Sequence, residues 1–98
     1  MIAIIDYGVG NLFSLKSSLA HLGLDAIVTA DAETIRKADR LILPGVGAFG
    51  DAMAKLEATG LVPVIQEQAK EKPLLGICLG MQLLFEKSYE YGEHAGLG

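Results

Sequence analysis

The sequence holds a single cysteine, Cys78, and only two histidines, His21 and His94. One thiol excludes an internal disulfide and a thiol-based metal cluster, which leaves packing or reactivity as the uses of Cys78. No set of His, Cys, Asp and Glu falls at metal-ligand spacing, so neither a metal nor any other cofactor is expected. Basic residues are scarce: 8 Lys and Arg stand against 12 Asp and Glu, a formal net charge of -4. No Lys/Arg run can trace a phosphate backbone, which argues against nucleic acid as a partner. Although 51% of the residues are hydrophobic, no apolar run approaches the length that spans a bilayer. Residues 1–6 carry no basic leader and no small-residue cleavage site. A cytoplasmic protein with no membrane partner is the expectation.

What is present reads as alternating strands and helices. Residues 1–6 form an Ile-rich run that stops at Tyr7-Gly8-Val9-Gly10, a strand buried on both faces. Asn11 is placed to cap a helix whose Leu12, Leu15, Leu19 and Leu22 recur at helical spacing until Gly23. Residues 25–29 are a second strand, 32–37 a short polar helix, and 40–43 a third strand ending at Pro44. Residues 48–57 and 61–70 form a helical pair broken at Gly60, with Pro63 tolerated in the first turn of the second. Residues 73–77 are a fourth strand, buried on both faces. Residues 79–89 are helical, with Leu79, Leu83 and either Met81 or Leu84 facing the core, and the rest is a glycine-containing tail.

At 98 residues the chain is one domain or part of one. Its alternation predicts an α/β fold: a flavodoxin-like open parallel sheet in the order 2-1-3-4, with helices on both faces. Ligands of such sheets sit beyond the carboxyl ends of the strands, where the loops at 8–11, 44–50 and 76–80 meet. The fourth strand, apolar yet at an open edge, and the turn-like Ala95-Gly96-Leu97-Gly98 lead us to expect further sheet after Gly98 and a truncated domain.

Gly76-Ile77-Cys78-Leu79-Gly80 sets a nucleophile-type residue between two glycines at a strand-to-helix junction. This is the G-x-S-x-G elbow with sulfur for oxygen. The elbow forces strained backbone angles and close neighbours, so the positions two before and two after it must be small. At a helix start the thiolate is favoured, and the Leu79 N–H becomes available to an oxyanion. A lone Cys is more often a small buried hydrophobe, but the glycines serve no purpose around a core residue, and Gln82 adds an amide one turn on.

Residues 45–50 contain a formal G-x-G-x-x-G, but it follows the third strand and begins after Pro44, which is the wrong context for a dinucleotide. A strip of backbone N–H groups at Gly45, Val46 and Gly47, facing Cys78 and able to hold an oxyanion, is the better use. Gly8-Val9-Gly10-Asn11 reads as a loop beside the mouth or a surface for a partner. His21 is a solvated helix residue. His94 lies in the tail, where nothing orients it as a base for Cys78.

Gly76-Ile77-Cys78-Leu79-Gly80-Met81-Gln82 resembles the G-x-C-x-G-x-Q motif of class I, triad-type glutamine amidotransferases. With residues 6–12, Pro44-Gly45-Val46-Gly47 and Leu83-Leu84-Phe85-Glu86, the whole chain is similar to one branch, the glutaminase subunits of imidazole glycerol phosphate synthases. The resemblance makes residues 1–98 the amino-terminal part of a single amidotransferase domain. It implies hydrolysis of glutamine to glutamate and ammonia, the ammonia passing to a TIM-barrel cyclase partner in histidine biosynthesis. Cys78 would be the nucleophile, with the Leu79 N–H and the 44–47 strip as oxyanion donors, the strip reorienting when the partner is loaded. Gly47 and Gln82 would hold glutamine, Glu90 its amino group, and Asn11 would face the partner. The family's catalytic His and Glu lie in a carboxyl-terminal half with no counterpart here, so this piece alone should turn over slowly or not at all. Other elbow-cysteine hydrolases, a non-catalytic flavodoxin-like binding module and a self-associating half-domain remain as alternatives.

Overall fold

Ile2, Ala3, Ile4 and Ile5 project alternately to the two sides of strand β1 (Ile2–Ile5), and all four are buried. That strand is therefore central, and the computed structural model, which describes all residues from Met1 to Gly98, builds a sheet around it. The remaining strands are β2 (Ala26–Thr29), β3 (Arg40–Leu43) and β4 (Leu74–Gly76). They pair in parallel in the order β2-β1-β3-β4, as the sequence predicts. The register sets Ile4 beside Val28 and Ile42, and Leu43 beside Gly76.

The two faces are covered unequally. Ile2, Ile4 and Ile42 meet a single helix, α1 (Leu12–His21), through Leu12, Leu15 and Leu19. Ala3, Ile5, Leu41 and Leu43 face four helices: α2 (Ala32–Lys37), α3 (Phe49–Ala58), α4 (Val62–Ala69) and α5 (Leu79–Leu83). Phe49, Ile35, Leu56, Ile65 and Leu83 are fully buried among them. This thicker layer supplies most of the apolar burial that stabilises the fold.

Local chemistry sets the helix ends. The Asn11 carboxamide oxygen accepts from the Ser14 N–H at 3.2 Å, so the expected cap forms, and Gly23 stops the helix with φ +79°. Asp31 caps α2 through the Thr34 N–H at 3.0 Å. At the other end of α2 the Lys72 ammonium donates to the carbonyls of Ile35, Arg36 and Ala38, adding a donor where the helix end leaves carbonyls short of partners. Leu22, the last of the leucines at helical spacing, lies past the end of α1 and is exposed.

Three expectations fail toward the carboxyl end. The elbow helix stops at Leu83, not Tyr89, because its carbonyls are taken by the returning chain. Leu97 N–H donates to Leu83 O at 2.8 Å, Gly98 N–H to Phe85 O at 3.1 Å, and Gly96 N–H to Glu86 O at 2.8 Å. Gly96 passes so close to the Phe85 carbonyl that a Cβ there would overlap it. Residues 84–98 are consequently no free tail: β5 (Lys87–Ser88) and β6 (His94–Ala95) pair antiparallel, and Leu97 is buried in the main core. Met81 is exposed, while Leu84 packs partly against the core. Strand β4 is not buried on both faces. Leu74 joins the main core, but Leu75 points to the face that α1 covers only over its neighbours, and it is 58% exposed at the open edge. No helix is long and apolar enough to cross a membrane.

Candidate active site

Cys78 sits between β4 and α5 with φ +53° and ψ -122°, a conformation that costs a non-glycine residue free energy and persists only where its surroundings enforce it. The flanking glycines are what enforce it. A Cβ at Gly76 would lie 2.5 Å from Met81 Cα, and one at Gly80 would overlap the Leu43 carbonyl oxygen. Both expected small positions are therefore sterically required, and the thiol they present is exposed.

The strip that faces the elbow is residues 44–47, leaving the end of β3. Gly45 touches the elbow directly: a Cβ there would lie 2.7 Å from Gly80 N and 2.8 Å from the Tyr7 hydroxyl. The first glycine of this pattern thus serves contact with the elbow. In this conformation the Leu79 N–H is not open to an oxyanion, because it donates to the Gly45 carbonyl at 3.2 Å. Gly80 N–H and Met81 N–H are taken by Ile77 O and Cys78 O. The Val46 and Gly47 N–H groups, by contrast, donate to nothing within the chain. Gly47 has φ +91° with open space around its Cα, and Val46 is exposed.

Tyr7 is the site residue that sequence reasoning missed. It continues the Ala3, Ile5 parity of β1, which is the signal that could have found it. Its ring is buried and its hydroxyl donates to the Pro44 carbonyl at 2.5 Å. Burial pushes its pKa up to about 12, so it remains a donor throughout the neutral range.

Glu90 lies on the hairpin, and its carboxylate accepts from the Phe49 N–H at 3.0 Å. It thereby caps α3, whose own N-cap residue, Ala48, has no side chain able to do so. A cleft of about 290 Å³ is lined by Ala48, Gly50, Asp51, Glu90, Tyr91 and His94. A neighbouring cleft of about 250 Å³ joins Gly8, Val9 and Gly10 to Val46, Gly47 and Ala48. The structure so brings the first glycine loop, the strip and Glu90 to one edge of the sheet. Gln82 is exposed on α5, one turn after Cys78, and Asn11 is exposed at the start of α1. His94 stacks on Gly50, with Nε2 3.2 Å from the Tyr91 carbonyl, and it makes no hydrogen bond to Cys78. The largest cleft, about 690 Å³, lies between α4 and the β4 edge and includes none of these residues.

Comparison with known proteins places this arrangement. The class-I glutamine amidotransferase family matches residues 3–93. The imidazole glycerol phosphate synthase subunit HisH of Exiguobacterium sibiricum is 59% identical over 98 residues, covering 100% of this chain and 50% of the relative. The subunit of the same name from Sulfurimonas denitrificans is 54% identical over 99 residues, covering 100% of this chain and 48% of the relative. The chain thus spans about half the length of the curated relatives it matches. A crystal structure of a glutamine amidotransferase superposes with a TM-score of 0.80 at 22% identity, over 100% of this chain and 52% of that one, a likeness of fold. Read together with the cysteine elbow, these matches show that the chain belongs to the class-I glutamine amidotransferase family.

Proposed function

We propose that this chain is the nucleophile-bearing half of a glutaminase that frees ammonia from glutamine for a TIM-barrel cyclase, as in imidazole glycerol phosphate formation. The observation that carries the reading is the Cys78 elbow, strained, exposed and abutted by the Gly45 strip. Cys78 Sγ attacks the side-chain amide carbon, and the C=O pair moves onto oxygen. Backbone N–H groups of Leu79 and the strip take up that charge once the strip has turned, because the Leu79 donor is otherwise committed to Gly45. Collapse expels ammonia and leaves a thioester that water cleaves to glutamate. Gln82 and Gly47 hold glutamine beside the thiol, and Glu90 faces its amino group while retaining its hold on α3. Asn11 and Gly8, exposed on the same edge, form the side offered to the cyclase. An exposed, unpaired thiol of this kind is kept reduced in the cytoplasm, the compartment this reading assigns.

Ammonia departure needs an acid and thiolate formation a base, and neither His21 nor His94 contacts Cys78. The base therefore comes from outside residues 1–98. Glutamate release from glutamine, measured for the chain alone and with the carboxyl-terminal half of a HisH relative added in trans, tests this. Turnover only in the mixture, abolished by Cys78→Ser, is expected; equal turnover of wild type and Cys78→Ser would refute the reading.

A further inference from the structure

The strip divides sharply at Gly45 into a held part and a free part. On the held side, the Pro44 ring fixes its own φ and packs against Gly10, where a Cβ would come within 3.1 Å of it. The Pro44 carbonyl is gripped by the Tyr7 hydroxyl at 2.5 Å, from a ring that is 4% exposed. On the free side, Val46 is 59% exposed, Gly47 has open space about it, and neither N–H is paired. One bond spans the boundary, from Leu79 N–H to Gly45 O, and at 3.2 Å it is at the long limit for such a bond.

We propose that Tyr7 is a positioning residue for the oxyanion strip: by holding the Pro44 carbonyl it fixes the Pro44–Gly45 peptide, so that the strip opens by rotation of the Gly45–Val46 peptide alone. That rotation changes ψ of Gly45 and φ of Val46 and leaves Pro44 in place. It withdraws the Gly45 carbonyl from Leu79 N–H and turns the Val46 N–H to the same side, which makes two adjacent donors beside Cys78. Gly45 carries no Cβ to obstruct the turn. Without the hydroxyl, Pro44 and Gly45 move together, and the strip opens more often but in no fixed orientation. This inference rests on the glutaminase reading, since an oxyanion is what the two donors would hold.

The test compares Tyr7→Phe, which keeps the ring and deletes only the hydroxyl, with the wild-type 98-residue chain. Amide exchange by NMR is read at Leu79, relative to the Ile4 amide in the sheet centre. Cys78 labelling is read as the rate with a diazo-ketone analogue of glutamine, whose ketone oxygen uses the oxyanion donors, divided by the rate with iodoacetamide, which does not need them. Lost positioning predicts opposite signs: Leu79 exchange about fivefold faster relative to Ile4, and the labelling ratio about fivefold lower, the size of effect expected from one hydrogen bond. A Tyr7 that merely restrains the strip would quicken both. One that merely supports the fold would quicken Ile4 equally, and no change in either would mean that the hydroxyl is idle; each of these three results overturns the proposal. Should the wild-type chain take no glutamine-protected label, the glutaminase reading fails, and the Leu79 to Ile4 exchange ratio still decides whether Tyr7 anchors the strip.

Discussion

Glycines 76 and 80 hold Cys78 in its strained conformation by leaving no room for anything else. Replacing Gly80 with Ala forces a methyl group into the Leu43 carbonyl, so destabilisation at or above the upper end of the overpacking range, about 3 kcal/mol, is expected in urea denaturation. Gly8→Ala meets a positive φ, +83°, but nothing lies within reach of its Cβ, so it should cost only about 1 kcal/mol. Tyr7 gives a pH signature. Its pKa is raised in the folded state to about 12 from 10.0, so the folded chain keeps a proton that the unfolded chain loses. Its contribution to stability is then intact below pH 10 and is lost as pH rises toward about 12. Thermal melts should show the wild-type advantage over Tyr7→Phe shrinking across that window and constant below it. The need for small residues around Cys78 was legible in the sequence because steric demand attaches to residue type and spacing. The Leu79 bond to Gly45 and the Tyr7 bond to Pro44 were not, because each joins residues more than thirty positions apart and ends on a backbone carbonyl, which any residue carries.

At the scale of elements, strands and helix starts followed from local pattern, while the carboxyl-terminal hairpin did not. Residues 79–89 suit a helix locally, but Leu83, Phe85 and Glu86 have their carbonyls taken by Leu97, Gly98 and Gly96. Tertiary pairing overrides propensity there. Leu97 is the fastener: it is buried, its N–H binds Leu83, and its carbonyl accepts from the Gln66 side chain at 2.8 Å. Leu97→Ala should cost about 2 to 3 kcal/mol, at the low end for a large-to-small core change near a terminus. Limited proteolysis should then cut within residues 85–96 well before it cuts α3. Glu90 rides on the same hairpin, so its reach to Phe49 N–H depends on that docking. A Leu97→Ala chain whose hairpin resisted proteolysis as wild type does would show that Leu97 is not what secures it.

The whole molecule is a sheet with one thick layer and one thin one, and its active edge and its open edge are adjacent at β4. Cys78 follows directly from that strand, so whatever covers β4 also borders the thiol. The order 2-1-3-4 and the clustering of the three glycine loops were legible from the alternation of elements, since right-handed crossovers leave few alternatives. The exposure of Leu75 was legible only as a conflict between an apolar strand and an edge position, and the structure retains that conflict. Leu75→Lys should change stability by less than about 0.5 kcal/mol while raising solubility, because a charge on an exposed edge strand opposes edge pairing. The central claim concerns the thiol at that edge, and the most direct test is intact-mass labelling of the chain by the diazo-ketone analogue, with and without glutamine. One adduct on Cys78, absent from Cys78→Ser and suppressed by glutamine but not by norleucine, whose unbranched side chain carries no amide, is the predicted result; an adduct that glutamine leaves unchanged would contradict a glutamine site at this elbow.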